Sequence, residues 1–89
     1  MTVYHLAIGF AGAVVEPEKI QNIFPSGCGW ARYAPNCWII STNESAAQLV
    51  ARMRTLISVS DSVFAVEIDL KNSHGYLQTE IWGYIKGFG

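Results

Sequence analysis

The chain has 89 residues, 51% of them apolar and only 15% charged. That leaves room for one domain and excludes general disorder. Six Lys and Arg against seven Asp and Glu give a net charge of −1, so the basic field that most nucleic-acid binders carry is missing. The apolar share is high for so short a chain, whose interior is too small to hide it, and such an excess commonly ends in a subunit interface.

Thr2 to Phe10 predicts a strand, with Tyr4, Leu6, Ile8 and Phe10 alternating against Val3, His5, Ala7 and Gly9. No basic n-region precedes this apolar start and no stretch reaches ~20 apolar residues, so the expectation is a cytosolic protein without a membrane span. Pro17 suits the first turn of a helix, and Ile20, Ile23 and Phe24 give it an apolar stripe before Pro25-Ser26-Gly27 stops it. Gly29 to Ala34 and Cys37 to Thr42 predict two strands joined by a turn at Pro35-Asn36. In that hairpin Tyr33 faces Cys37, and Cys28 lies about five residues down the ladder, ~16 Å away at ~3.3 Å per residue. A disulfide tolerates only ~7 Å between Cα atoms, so two buried free thiols are expected.

Ser45 with Gln48 forms a capping box, and Leu49, Val50, Met53, Leu56 and Ile57 recur at helical spacing. Ser62 to Leu70 returns to a two-residue period. Phe64, Val66, Ile68 and Leu70 share one face there, and Val63, Ala65, Glu67 and Asp69 share the other. Asn72 to Gly75 is a polar turn, and Tyr76 to Phe88, compatible with a short helix or an extra strand, is expected as a short helix or irregular tail that packs through Trp82 or exchanges with a partner chain. The order β-α-β-β-α-β is that of a ferredoxin-like α+β domain. Two helices then cover one face of a four-stranded antiparallel sheet and leave the other open. The expected core is Leu6, Ile8, Ile23, Phe24, Ile40, Leu49, Met53, Leu56, Phe64 and Val66.

Few residues suggest chemistry. Glu67 and Asp69, two apart on a strand, point to one side and could hold a divalent cation or divide acid and base roles; His5 on the first strand could act as a base. Each also has a structural reading, as a solvated edge or as a hydrogen-bonded histidine, and that reading is preferred. Cys28 between two glycines has no visible activating base, and Gly27-Cys28-Gly29 lacks the Lys-Ser/Thr of a phosphate loop. The strand Cys37 to Thr42 has one aromatic ring and no basic residue, which argues against an RNA-recognition surface. No cofactor or metal set is evident.

Trp38-Ile39-Ile40-Ser41-Thr42, the helix opened by Ser45, and Asp61-Ser62-Val63-Phe64-Ala65-Val66 together resemble a known pattern. It is that of the superfamily of the small CRISPR spacer-acquisition subunit and the virulence-associated protein D ribonucleases, some of whose members are antitoxins. The resemblance implies a ferredoxin-like homodimer in a prokaryotic or phage defence, counter-defence or toxin–antitoxin setting. Members with metal-dependent nuclease activity carry an Asp near the end of the first strand, where this chain has Gly9. The reading is therefore a non-catalytic binding or regulatory subunit that binds nucleic acid weakly or not at all. Its dimer contact is expected on the last strand and tail, with Leu70, Tyr76, Trp82, Tyr84 and Phe88 as candidates, and a protein partner is also compatible. The alternatives are a nuclease with a rearranged site of His5, Glu67 and Asp69, and a structural subunit of a larger complex.

Overall fold

Four strands, β1 (Thr2–Gly9), β2 (Gly29–Ala34), β3 (Cys37–Thr42) and β4 (Ser62–Glu67), form one antiparallel sheet in the order β2-β3-β1-β4. The computed structural model describes residues 1–88. Three helices accompany the sheet: α1 (Pro17–Gln21), α2 (Ala46–Arg54) and α3 (Thr79–Ile85). The architecture is α+β, and among the described residues no helix is long and apolar enough to cross a membrane.

Residues directly opposite each other in an antiparallel pair share a face. Leu6 stands opposite Trp38 on one side and Ala65 on the other, and Tyr4 opposite Ile40 and Glu67. This even set on β1 faces α1 and α2. There Leu6, Ile8, Ile20, Phe24, Trp38, Ile40 and Met53 form the main core, with Val15, Ile23, Leu56, Ile57, Val63 and Ala65 packed around it. Phe24 meets Trp30 and Trp38 edge to face, at ring centroid distances of 5.9 and 5.8 Å. The indole N–H of Trp38 donates to Gln21 Oε1 at 3.2 Å, so its burial leaves no polar atom unpaired. Helix α1 is shorter than its stripe suggests. After Gln21 the chain turns more tightly, with Ile23 N–H donating to Ile20 and Phe24 N–H to Gln21, and this brings Phe24 under the sheet.

Helix α2 starts as its sequence dictates. Gln48 N–H donates to Ser45 Oγ at 3.2 Å, and Ser45 N–H donates to Gln48 Oε1 at 2.8 Å. Leu49 and Met53 are its buried anchors. Asp61 ties the end of the α2–β4 connection to the loop after β1, accepting the N–H groups of Ala11 and Ser58, each at 2.9 Å. Those two donors hold its carboxyl below the usual range.

Three expectations are corrected. The second sheet face is not left open: the tail turns back as α3 and covers part of it, with Ile85 buried among Val3, Ala31 and Ile39. The faces of β4 are the reverse of those expected for the core. Val63 and Ala65 pack inward, whereas Phe64 is 64% and Val66 39% exposed on the second face. Strand β4 also ends at Glu67, so Ile68 to Leu70 lie beyond it and Leu70–Asn72 form a single 3₁₀ turn. Cys28 and Cys37 are free, as expected, though half-buried rather than buried.

Candidate functional site

The second face carries the odd residues of β1: Val3, His5 and Ala7. His5 pairs with Ile39 and Val66, and Ala7 with Cys37 and Phe64. Strand β2 is irregular where it approaches this set. Arg32 pairs with Trp38 and Ala34 with Cys37, so Tyr33 is an extra, unpaired residue. Tyr33 is thus not paired directly with Cys37 as expected; two residues beyond Ala31, which packs on this face, its ring lies over the same side. There its hydroxyl and the Nε2 of His5 are hydrogen-bonded to each other, with ring centroids 5.6 Å apart. Burial pushes the His5 imidazole below its ordinary value, and burial together with the neighbouring Cys37 thiol raises the Tyr33 phenol. Both rings are thus neutral around pH 7. They present hydrogen-bonding capacity without fixed charge.

A cavity of about 290 Å³ opens between this pair and the returning tail. Ile39, Leu77, Trp82 and Ile85 give it apolar walls, and His74 lines it from the tail side. The arrangement suits a small, largely apolar group with one polar end.

The three catalytic candidates read from the sequence do not come together. Glu67 stands opposite Tyr4 and so points to the helix-covered side of the sheet, whereas His5 points to the other. Asp69 lies past the strand and caps the 3₁₀ turn, accepting from Lys71 N–H and Asn72 Nδ2 at 3.0 Å each. Glu67 and Asp69 do border one open cavity of about 590 Å³, which also has Lys71 and Lys86 in its wall. Among the described residues, no group of three or more His, Cys, Asp or Glu side chains is placed to hold a metal ion. Gly9 ends β1 opposite Ser62, and a Cβ added there would meet Ser62 Cβ at an ordinary 3.7 Å. A side chain would fit at that position; the sequence supplies none.

Of the tail residues, Leu70, Trp82 and Phe88 are half-buried against the second face, whereas Tyr84 and Tyr76 are exposed. Phe88 reaches the first residue of β2, where a Cβ on Gly29 would approach its ring to 2.9 Å. Glycine at 29 is what allows this contact. Sequence reasoning missed Tyr33 as the partner of His5, because 28 residues separate them and only the β2–β3–β1 pairing brings them together.

The other feature of this face is apolar. Phe64 and Val66 lie uncovered on β4, an outer strand of the sheet. Comparison with protein-family models, with curated proteins and with solved structures finds no match.

Proposed function

We propose that this protein is a non-catalytic binding or regulatory subunit that works as a homodimer. The observation that carries the reading is the pair Phe64 and Val66, large apolar side chains left in water on an outer strand with no charge before Glu67. Isolated monomers blunt such edges with Lys, Pro, bulges or covering segments. The other outer strand, β2, has Arg32, the Tyr33 bulge and the Phe88 contact at Gly29. Strand β4 has none of these.

A ferredoxin-like assignment is supported by the element order and by the sheet order β2-β3-β1-β4, in which the first and third strands are central. The prokaryotic or phage defence, counter-defence or toxin–antitoxin setting rests on the resemblance of Trp38 to Thr42 and Asp61 to Val66 to the spacer-acquisition superfamily. The non-catalytic reading rests on the dispersal of His5, Glu67 and Asp69 and on glycine at position 9. Phosphodiester hydrolysis by a metal route needs carboxylates that fix a cation.

Light scattering tests the dimer. A mass of twice 9.8 kDa at micromolar concentration is expected, falling to the monomer mass in Phe64→Asp. A monomer mass throughout the accessible concentration range refutes the reading. Incubation with Mg²⁺ or Mn²⁺ and single- or double-stranded DNA and RNA is expected to leave the nucleic acid intact. Cleavage that disappears in Glu67→Ala/Asp69→Ala would establish a nuclease instead.

A further inference from the structure

We infer that the second copy joins β4 to β4 in antiparallel fashion, about a two-fold axis normal to the sheet that passes beside Ala65, so that two four-stranded sheets become one. This inference rests on the homodimer reading above and adds the contact and its register.

The free edge fixes which groups are available. Ile68 N–H donates to Val3 O at 2.9 Å, and Ile8 N–H donates to Asn36 O at 3.0 Å. Hydrogen-bonded pairs alternate along an antiparallel ladder. Both bonds therefore require Val3, His5, Ala7 and Gly9 to bond β4, and Ser62, Phe64 and Val66 to bond β1. The N–H and C=O groups of Val63, Ala65 and Glu67 then point outward. Among the described residues, no other backbone or side-chain group engages them.

Face parity restricts the register. A two-fold axis normal to the sheet keeps each face on its own side, so an odd residue must meet an odd residue and an even one an even one. With Ala65 on the axis, Ala65 pairs with the partner's Ala65, and Val63 with the partner's Glu67. All three outward residues are used, giving about six new backbone bonds at two per hydrogen-bonded pair. Phe64 then meets the partner's Val66 as a non-hydrogen-bonded pair, the closer kind at about 4.5 Å between Cα atoms, and the reverse pair repeats it. Each exposed apolar side chain thereby gains an apolar cross-strand neighbour on its open flank.

Neighbouring registers are worse by charge or by the length of strand they pair. Centring on Phe64 sets Glu67 opposite the partner's Asp61, two like charges face to face. Centring on Val66 sets Glu67 opposite the partner's Ala65 and diagonal to the partner's Glu67. Centring on Ala65 pairs the whole strand and brings Glu67 only diagonal to the partner's Asp61, whereas centring on Val66 sets Val63 opposite the partner's Asp69, beyond the strand.

The experiment is disulfide trapping in the full chain. In a Cys28→Ser/Cys37→Ser background, Ala65→Cys places its sulfur opposite its own mate. The Cα separation of a hydrogen-bonded pair, about 5.5 Å, falls within the range a disulfide bridges. With oxidised glutathione, most of Ala65→Cys is expected as a covalent dimer, and Val63→Cys, displaced about 13 Å from its mate at ~3.3 Å per residue, at least ten-fold less. Ala65→Pro removes an outward N–H and fixes φ, at an outer-strand position whose N–H bonds no other strand. It is expected to keep the circular dichroism spectrum of the parent and to weaken dimerisation at least ten-fold. Absence of the Ala65 cross-link, or its equal formation at Val63, in a protein that still scatters as a dimer overturns the register and leaves the homodimer reading standing. A monomer in every measurement overturns both.

Discussion

Replacing Ile85 by Ala tests how the tail covers the second sheet face. Ile85 is 1% exposed and is the one fully buried residue of α3. The substitution removes about three methylene equivalents at about 0.8 kcal/mol each, so about 2–2.5 kcal/mol from transfer alone. A rigid cavity would add to this, but a seven-residue helix with a single buried anchor can settle into the space, which keeps the cost near ~2–3 kcal/mol. The helix has no stability to fall back on. Seven residues lie far below the ~12–15 at which an isolated helix becomes marginal in water, so α3 exists only while it is docked. Once the loss exceeds the docking free energy, the tail detaches and further loss cannot reach the sheet. Urea unfolding should therefore show a lower midpoint together with a smaller slope, since less surface remains to be exposed. Hydrogen exchange should accelerate across 79–88 while amides of β1 and β3 stay protected. An unchanged midpoint with unchanged protection in 79–88 would refute the packing of Ile85 against Val3, Ala31 and Ile39.

Leu49→Ala should cost ~2–5 kcal/mol in denaturant unfolding, because Leu49 is fully buried under the sheet, while Phe64→Ala measured on monomer at high dilution should cost under ~1 kcal/mol. Equal losses would mean that the faces of β4 have been assigned the wrong way round. Ser45→Ala should lower stability by about 1 kcal/mol through loss of the cap on Gln48 N–H, with little loss in Ser45→Asp. Stability should fall with acid in two stages. His5 is depressed in the fold, so the unfolded chain takes up its proton first, and stability present above pH ~6.5 declines as pH drops through the lower folded value. Asp61, held down by Ala11 and Ser58, and Glu44, held down by Arg52, act in the same direction below pH ~4–5. His5→Gln should remove the upper stage and Asp61→Asn part of the lower one, as read by thermal midpoints across the pH range.

The elements themselves were written locally. Pro17 and the Ser45–Gln48 box mark helix starts through groups within a few residues of each other, and the alternation of Tyr4, Leu6 and Ile8 marks a strand with one buried side. The α+β class follows from that order of elements. The sequence also shows that β4 alternates, but not which half of the alternation turns inward, because Val63/Ala65 and Phe64/Val66 are both apolar. That choice belongs to the pairing with β1, which sets Ala65 opposite Leu6 on the helix-covered side and leaves the larger side chains outside. The tail was equally undecided. Ile81, Trp82 and Ile85 could serve helix or strand, and only the apolar second face, with Val3, Ala31 and Ile39 in need of cover, selects a helix with Ile85 inward. Asp69 looks like a partner of Glu67 by spacing, yet the chain leaves the strand after Glu67 and its carboxylate is used to cap a turn. The meeting of His5 with Tyr33 depends on the pairing of three strands, and no local pattern encodes it. Short-range capping and periodicity are thus legible residue by residue, whereas the facing of an evenly apolar strand and the contacts across the sheet are decided by long-range pairing, where each position's neighbour comes from a distant part of the chain.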